Sequence, residues 1–171
     1  SNPQMIEIDV ETYYILSKKH QLLTIIDNTF LTPYLSTPLE EGADIVLHSA
    51  TKYIGGHNDV LAGVVTVKDA QLAEQLNQFH NMIGATLSPL DSYLLQRGLK
   101  TLHLRIERSQ ENAQKLAQRC RQSDSIDEVL YSGRTGMLSL RLNQAYSVAK
   151  FLENLEICIF AESLGGTETF I

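Results

Sequence analysis

The chain has 171 residues, 43% of them hydrophobic, which is enough to bury the core of one large domain or two small ones. Its formal net charge of −6 argues against an electrostatic role on nucleic acid. No apolar run reaches membrane-spanning length and no signal peptide is visible, so we expect a cytoplasmic protein.

The first quarter of the chain predicts helices that alternate with buried strands. The predicted elements are, in chain order, a helix from Val10 to about His20, a strand at Leu22–Ile26, a short helix at Pro38–Glu41 that stops at Gly42, and a strand at Ile45–Leu47. Asp9 stands where a helix N-cap is expected. Both strands are continuous apolar runs, which is typical of strands covered on both faces of a parallel sheet.

The middle of the chain predicts one more strand and three helices. They are a buried strand at Leu61–Val67, an amphipathic helix opened by Asp69, a helix that begins at Ser88-Pro89 and stops at Gly98, and a long helix from about Leu102 to Cys120. On the long helix, apolar and small residues recur in steps of four and three. This stripe is predicted to face a core, and it consists of Leu102, Ile106, Ser109, Ala113, Leu116, Ala117 and Cys120. The helix's solvated side is assigned Arg105, Arg108, Arg119 and, just beyond it, Arg121.

Beyond the long helix the pattern changes to that of a small α+β unit. Leu138, Leu140 and Leu142 alternate with other side chains, as in a half-exposed antiparallel strand. A helix that carries Ala145, Val148, Ala149 and Leu152 and a strand at Ile157–Ala161 complete the unit. The domain boundary is expected near Thr101, which divides the chain into 1–100 and 101–171.

Reactive side chains follow two of the predicted strands. Asp27 comes directly after the first strand, and Lys52 follows the second one within a turn-forming stretch. In open α/β sheets, ligands collect beyond the carboxyl ends of the strands. A pyridoxal phosphate (PLP) site requires such a pair, since the lysine forms the Schiff base and the aspartate keeps the pyridinium nitrogen protonated.

The order of these motifs resembles the Cys/Met-metabolism family of PLP enzymes, which includes cystathionine γ-synthase, the cystathionine lyases, methionine γ-lyase and the homoserine-ester sulfhydrylases. The matching blocks are Asp27–Phe30, Thr32-Pro33, Pro38-Leu39, Gly42–Val46, His48–Tyr53, Gly55–His57, Asp59, Arg97–Leu102 and Ser163–Glu168. The resemblance implies an α/β fold of the aspartate-aminotransferase type: a large domain with a mostly parallel sheet, here residues 1–100, followed by part of a small α+β domain.

The resemblance also implies roles for further residues. Ser49 and Thr51 match phosphate-binding hydroxyls, and both would point the same way if this segment is extended. Asn2 matches the asparagine near the cofactor's phenolic oxygen. Ser163 matches the serine beside the active-site lysine, and Glu162 before it resembles γ-type members.

Relative to that family the chain is expected to be incomplete. The glycine turn that cradles the phosphate, the stacking aromatic, the Tyr-x-Arg pair of a neighbouring subunit and the arginine that binds the substrate carboxylate are all expected outside it. A long loop of the relatives is also expected to be missing between Gly133 and Gly136. The visible positions supply little positive charge beyond Lys52 itself, so a partner's arginine is expected to neutralise the cofactor phosphate in a two-fold dimer, two of which form a tetramer.

The predicted function is PLP-dependent elimination or replacement at Cγ or Cβ of sulfur-containing or homoserine-ester amino acids, with cystathionine γ-synthase or γ-lyase preferred. Cystathionine β-lyase and O-acyl-homoserine sulfhydrylase remain alternatives within the class. An alternative of another class is a non-catalytic module that keeps the fold and dimerises. The expected partners are an amino-acid substrate and further copies of the chain, with no nucleic acid and no membrane.

Metal binding is not expected. His48, His57 and Asp59 do not have the spacing of a helical zinc pair, and the resemblance assigns them to scaffolding and turns. Cys120 and Cys158 fit neither a disulfide framework nor a CxxC metal site, so both are predicted to be buried, reduced thiols.

Overall fold

The computed structural model describes residues 2–171 and shows an α/β fold around a three-stranded sheet. The strands β1 (Ile25–Asp27), β2 (Ile45–Ser49) and β3 (Gly63–Val67) lie in this order. β1 and β2 are parallel, with Asp27 opposite Leu47, whereas β3 is antiparallel to β2. The sheet is therefore mixed, and the expected mostly parallel arrangement holds for only one of its two strand pairs.

Five helices accompany this sheet. They are α1 (Val10–Lys19), α2 (Thr32–Leu35), α3 (Ala70–Ile83), α4 (Pro89–Leu99) and α5 (Leu102–Cys120). The predicted N-caps are confirmed: Asp9 accepts a hydrogen bond from the Thr12 amide, Asp69 from Leu72 and Ser88 from Asp91. Within residues 2–171, no helix has the length and apolar character needed to cross a membrane.

The C-terminal part forms the predicted small unit. β4 (Ile126–Leu130) and β5 (Ser139–Leu142) form an antiparallel pair, and α6 (Val148–Glu153) follows them. The predicted strand at Ile157–Ala161 is wrong, because only a single parallel bridge forms there, between Ile159 and Phe170. The backbone hydrogen bonds there join only residues 159–161 to 169–171, and Ile157 is 90% exposed.

The predicted burial of the strands is also wrong in two places. Leu22 and Leu23 lie outside β1 and are each 61% exposed, since the pairing with β2 begins only at Ile25. β3 was expected to be buried, but Val65 is 53% exposed. Both strands are edge strands of the described sheet, so each has a neighbour on one side only.

The predicted short helix at Pro38–Glu41 is a turn, whereas α2 was not predicted. The Ala43 amide donates to the Pro38 carbonyl at 2.9 Å. This hydrogen bond closes a turn, and the chain does not continue into a helix. Gly42 then has φ +108°, and a Cβ there would lie 2.6 Å from the ring of Tyr14. Glycine is therefore needed both for the backbone conformation and for the approach of α1.

Helix α5 supplies much of the core that supports the candidate site. Leu102, Ile106, Ala113 and Ala117 are buried, which confirms the core-facing part of the predicted stripe. Leu116, at 46% exposed, lies at its margin. Leu102 and Ile106 pack against Tyr53, the residue after Lys52, so the long helix is in direct contact with the segment that carries the lysine.

Candidate active site

Lys52 lies in a turn directly after β2. Its amide donates to the Ser49 carbonyl at 3.1 Å, and its carbonyl accepts from the Gly56 amide at 2.8 Å. The half-buried Lys52 side chain lies 3.4 Å, Nζ to Oγ, from Ser163 and donates a hydrogen bond to it. The fold thus brings together two predicted site residues that are 111 positions apart in the chain.

Arg105 fixes the same turn from the side of α5. Its guanidinium donates to the Tyr53 carbonyl at 2.6 Å, to the Gly98 carbonyl at 2.8 Å and to the Thr101 hydroxyl at 3.0 Å. Burial lowers the pKa of Arg105, and its solvent-side assignment from the sequence is wrong. The arginine joins the lysine turn to the end of α4, a contact across 52 positions that no local pattern reveals.

Gly98 allows α4 to approach this turn. A Cβ at Gly98 would lie 2.4 Å from both the Ile54 and the Gly55 carbonyl oxygens, which is closer than any real side chain stands. Gly98, predicted to end the helix, therefore also has a packing role. The helix α4 ends one residue later than predicted, at Leu99.

Asp27 ends β1, opposite Leu47 of β2, and is connected through Thr29 to Ser49 at the end of β2. Its Oδ1 accepts a hydrogen bond from the Thr29 amide at 2.9 Å, while the Thr29 hydroxyl accepts from the Ser49 amide at 2.7 Å. Asp27 therefore shapes a local turn and also presents a carboxylate at the strand end. This arrangement holds the two predicted residues on adjoining strands.

His48 lies on β2, directly before Ser49, and is buried. Its Nε2 is 3.3 Å from Asn28 Nδ2, which also donates to the carbonyls of Thr32 and Ser36, each at 3.0 Å. Burial lowers the pKa of His48, and the negative charge of Asp27 offsets part of that effect. Since the carbonyls of Thr32 and Ser36 already take both hydrogens of the Asn28 amide, its contact with Nε2 can only share one of them, and Nδ1 of His48 is buried without a hydrogen-bond partner among residues 2–171.

His57, which was also considered for metal binding, has another contact. The ring of His57 lies 2.9 Å, Nδ1 to O, from the Gly55 carbonyl. In residues 2–171, no group of three or more His, Cys, Asp or Glu side chains could hold a metal ion. The two cysteines are free but half-exposed, which corrects the expectation that they are buried.

A cavity of about 570 Å³ opens at the ends of β1 and β2. Four of the six predicted site residues line it: Asn2, Asp27, Ser49 and Lys52. Ser163 contacts the Lys52 amine, and its neighbour Leu164 contributes to the wall. An amine, a carboxylate and a hydroxyl therefore line one cavity.

Thr51 is placed differently from the prediction. β2 ends at Ser49 and the chain then turns, so the extended geometry that would align the hydroxyls of Ser49 and Thr51 is absent. Thr51 Oγ1 accepts from the Ala62 amide at 2.9 Å and donates to the Ala62 carbonyl at 3.3 Å. It is not among the described residues that line the cavity.

Sequence reasoning missed a second cation at this cavity. Arg134, in the turn between β4 and β5, forms an ion pair of 2.7 Å with Glu7 and also donates to the Leu35 carbonyl. Both members of the ion pair line the cavity. The expectation of little positive charge beyond Lys52 is therefore wrong, although Glu7 balances the added charge. A lone arginine between two glycines offered no signal of this placement.

The model of the family described as "Cys/Met metabolism PLP-dependent enzyme" matches residues 1–171. The chain belongs to this family. A solved family structure, cystathionine γ-lyase from Lactobacillus plantarum complexed with L-serine, superimposes with a TM-score of 0.95 at 37% sequence identity. The superposition covers 99% of this chain and 49% of that one. The predicted family and fold are thereby confirmed.

The alignments to curated relatives of this family differ in length. The chain is 56% identical to the cystathionine gamma-synthase/O-acetylhomoserine (thiol)-lyase of Bacillus subtilis and 52% identical to the cystathionine gamma-synthase of Haemophilus influenzae. Each alignment takes 171 positions, all of this chain and 46% of the relative. The cystathionine beta-lyase of Lactococcus lactis subsp. cremoris is 45% identical over 187 positions, all of this chain and 49% of the relative. The chain thus spans about half the length of these relatives.

The expectation of a missing internal segment holds against the β-lyase but not against the two synthase relatives. The alignments to the two synthase relatives have 171 positions, the same number as this chain has residues. Within them, neither relative has a position that this chain lacks. The longer alignment to the β-lyase contains positions that this chain lacks. The internal length of the chain therefore agrees with the synthases and differs from that lyase.

The residues at the cavity fit the cofactor of this family. PLP needs an amine, a partner for its ring nitrogen and donors for its phosphate. Lys52, Asp27 and Ser49 present the corresponding groups to one cavity. The Ser49 hydroxyl has no hydrogen-bond partner among residues 2–171, unlike the Thr51 hydroxyl, which is already satisfied by Ala62. The fit is thus good for three of the predicted positions and poorer for Thr51.

Proposed function

We propose that the protein containing this chain is a PLP-dependent enzyme that carries out γ-replacement on a homoserine ester, as a cystathionine γ-synthase does. In this reaction the sulfur of a thiol amino acid forms a bond to Cγ, and the Cγ–O bond breaks. The acyl group leaves as a carboxylic acid that takes up the thiol proton. The observation that carries the proposal is the Lys52–Ser163 contact beside a cavity that also presents Asp27 and Ser49.

Lys52 would hold the cofactor and then move protons at the substrate's Cα and Cβ. When bound, PLP supplies a sink for the electrons left at Cα once its proton is removed. For γ-chemistry the lysine must accept a proton from Cα and another from Cβ, and return them after the γ-substituent has changed. The Ser163 hydroxyl, 3.4 Å from Nζ, would accept a hydrogen bond from the amine and orient its lone pair between these positions.

Three further side chains would hold the cofactor, and a fourth is less suited to do so. Asp27 would face the ring nitrogen, Asn2 would lie near the phenolic oxygen, and Ser49 would donate to the phosphate. Thr51 would join Ser49 only if its hydroxyl left the Ala62 carbonyl, at the cost of about 1 kcal/mol for that hydrogen bond.

Two observations favour the synthase over the lyase alternatives. The chain's internal length agrees with two relatives named cystathionine gamma-synthase, and it is shorter than the alignment to the β-lyase requires. Glu162, directly before Ser163, also resembles γ-type members of the family. The first observation has more weight because the alignments differ in length, 187 positions against 171, whereas Glu162 is a single residue.

The test is an assay of the full-length, PLP-loaded protein with an O-acyl-homoserine and L-cysteine, with mass spectrometry of the products. We expect a thioether amino acid, and no product from Lys52→Ala, while Lys19→Ala, which changes an exposed lysine at the end of α1, behaves as wild type. A wild-type protein that releases a keto acid from cystathionine but makes no thioether would support a lyase instead.

We also propose that the functional unit is a two-fold dimer, which pairs further into a tetramer. The cofactor phosphate carries close to two negative charges, and the charge of Arg134 is already balanced by Glu7. A further cation from a second copy would then be needed. Sedimentation of the full-length protein tests this: an active, PLP-loaded monomer at micromolar concentration would contradict it.

A further inference from the structure

The ion pair between Arg134 and Glu7 lines the cavity and includes none of the residues assigned to the cofactor. It is accessible to a ligand, since 39% of the Arg134 side chain and 33% of the Glu7 side chain are exposed. Among residues 2–171 the guanidinium has two hydrogen-bond partners, Glu7 and the Leu35 carbonyl. A guanidinium has five N–H donors, so the pair leaves several of them for a ligand.

The turn that carries Arg134 is held on both sides. Tyr131 Oη donates to the Thr135 carbonyl at 3.3 Å, and the Thr135 amide donates to Gln110 Oε1 on α5 at 3.3 Å. Thr135 is buried and has φ +69°, a conformation that a threonine adopts only when its surroundings impose it. Arg134 therefore projects from a rigid turn, and its side chain is preorganised at the cavity.

An adjacent cation and anion match a ligand that carries both charges. A carboxylate can dock on the free donors of Arg134, while an ammonium group can donate to Glu7. Such a ligand adds no net charge to the cavity, so its binding needs no further counter-ion. A ligand with only one of these groups would engage half of the pair.

We propose that Arg134 and Glu7 bind the zwitterionic end of the second amino acid, the one whose thiol attacks Cγ. This inference rests on the proposed γ-replacement, and it assigns the pair to substrate selection while Lys52 does the chemistry. It also predicts which thiols the enzyme accepts: L-cysteine, which has both groups, over thiols of the same length that lack one or both.

The test compares thiols as the second substrate for the full-length, PLP-loaded protein. The series is L-cysteine, 3-mercaptopropionate with a carboxylate alone, cysteamine with an amine alone, and 2-mercaptoethanol with neither. For Arg134→Gln we expect KM to rise about tenfold for L-cysteine and 3-mercaptopropionate, with KM for cysteamine and 2-mercaptoethanol unchanged. For Glu7→Gln we expect a rise for L-cysteine and cysteamine alone.

Arg108→Gln is the matched control, because Arg108 forms a similar 3.0 Å pair with Glu111 on the exposed side of α5. We expect this variant to treat all four thiols as wild type does. An equal rise of KM for every thiol in Arg134→Gln, or no rise for any of them, would overturn the inference.

A wild-type protein that converts no thiol would contradict the proposed function and leave the binding site to be tested separately. Calorimetric titration with 3-(methylthio)propionate, which has a carboxylate but no reactive thiol or amine, then decides. Weaker binding to Arg134→Gln than to wild type and Arg108→Gln would support the site, and equal binding to all three would overturn it.

Discussion

The polar surroundings of Lys52 come from residues distant in the chain. Ser163 reaches its amine from the C-terminal unit, and Arg105 holds the carbonyl of Tyr53 from α5. The lysine itself could be singled out from the sequence because it follows an apolar strand. Its hydrogen-bond partners could not, apart from Ser163, because they depend on how α4, α5 and the C-terminal unit pack.

Replacing Ser163 tests whether this contact matters for proton movement. In Ser163→Ala the lysine amine loses a hydrogen-bond acceptor worth about 1 kcal/mol, which corresponds to roughly fivefold in rate. We expect kcat to fall by that factor while KM and the thermal midpoint stay near wild type, because Ser163 is only half-buried. Ser163→Thr keeps a hydroxyl and should recover most of the rate. An alanine variant as active as wild type would remove Ser163 from the mechanism.

His48 gives a prediction about stability and pH. Its folded-state pKa is lowered by burial, below the ordinary value of about 6.5 in an unfolded chain. Between the two pKa values the unfolded chain binds more protons, so the contribution of His48 to stability is complete above about pH 6.5 and declines as the pH falls towards the folded value.

Urea unfolding at pH 7.5, 6.5 and 5.5 measures this effect. We expect His48→Gln to have a shallower decline of unfolding free energy over this range than wild type, whatever its absolute stability. His20→Gln, at an exposed position after α1, serves as the control and should keep the wild-type slope. Equal slopes for all three proteins would show that His48 does not titrate as its burial implies.

At the scale of whole elements, local signals predicted helices better than strands. Asp9, Asp69 and Ser88 cap their helices as expected, because a cap involves only residues three positions away. Strand burial failed at Leu22 and Val65, because it depends on which strands and helices lie alongside. The short helix predicted at Pro38–Glu41 is a turn instead, which the hydrogen bond from the Ala43 amide to the Pro38 carbonyl closes.

Gly98 tests how α4 supports the lysine turn. Gly98→Ala would place a Cβ 2.4 Å from two backbone carbonyls, so either the helix or the turn must move. We expect a loss of stability of about 1–3 kcal/mol together with weaker retention of the cofactor. Gly63→Ala is the control, because its Cβ would find only one atom, at 3.9 Å. A Gly98→Ala protein with wild-type stability and wild-type cofactor content would contradict this packing.

For the whole molecule, the motif order indicated the family and the α/β class, and both are confirmed by the family match and the solved structure. The mixed strand order was not foreseen, since an apolar run such as Val64–Val67 reads alike in either direction. The division near Thr101 stays a prediction. Arg134 was missed because its partner Glu7 lies 127 positions away and neither residue has a distinctive neighbourhood in the sequence.

The central claim is that Lys52 is the residue to which the cofactor attaches. Borohydride reduction of the full-length, PLP-loaded protein, followed by proteolysis and mass spectrometry, tests it directly because reduction makes the lysine–cofactor bond permanent. We predict a pyridoxyl-phosphate adduct on the peptide that contains Lys52 and none at that site in Lys52→Ala. An adduct confined to other lysines, or an unmodified Lys52 in a protein that retains PLP, would contradict the account.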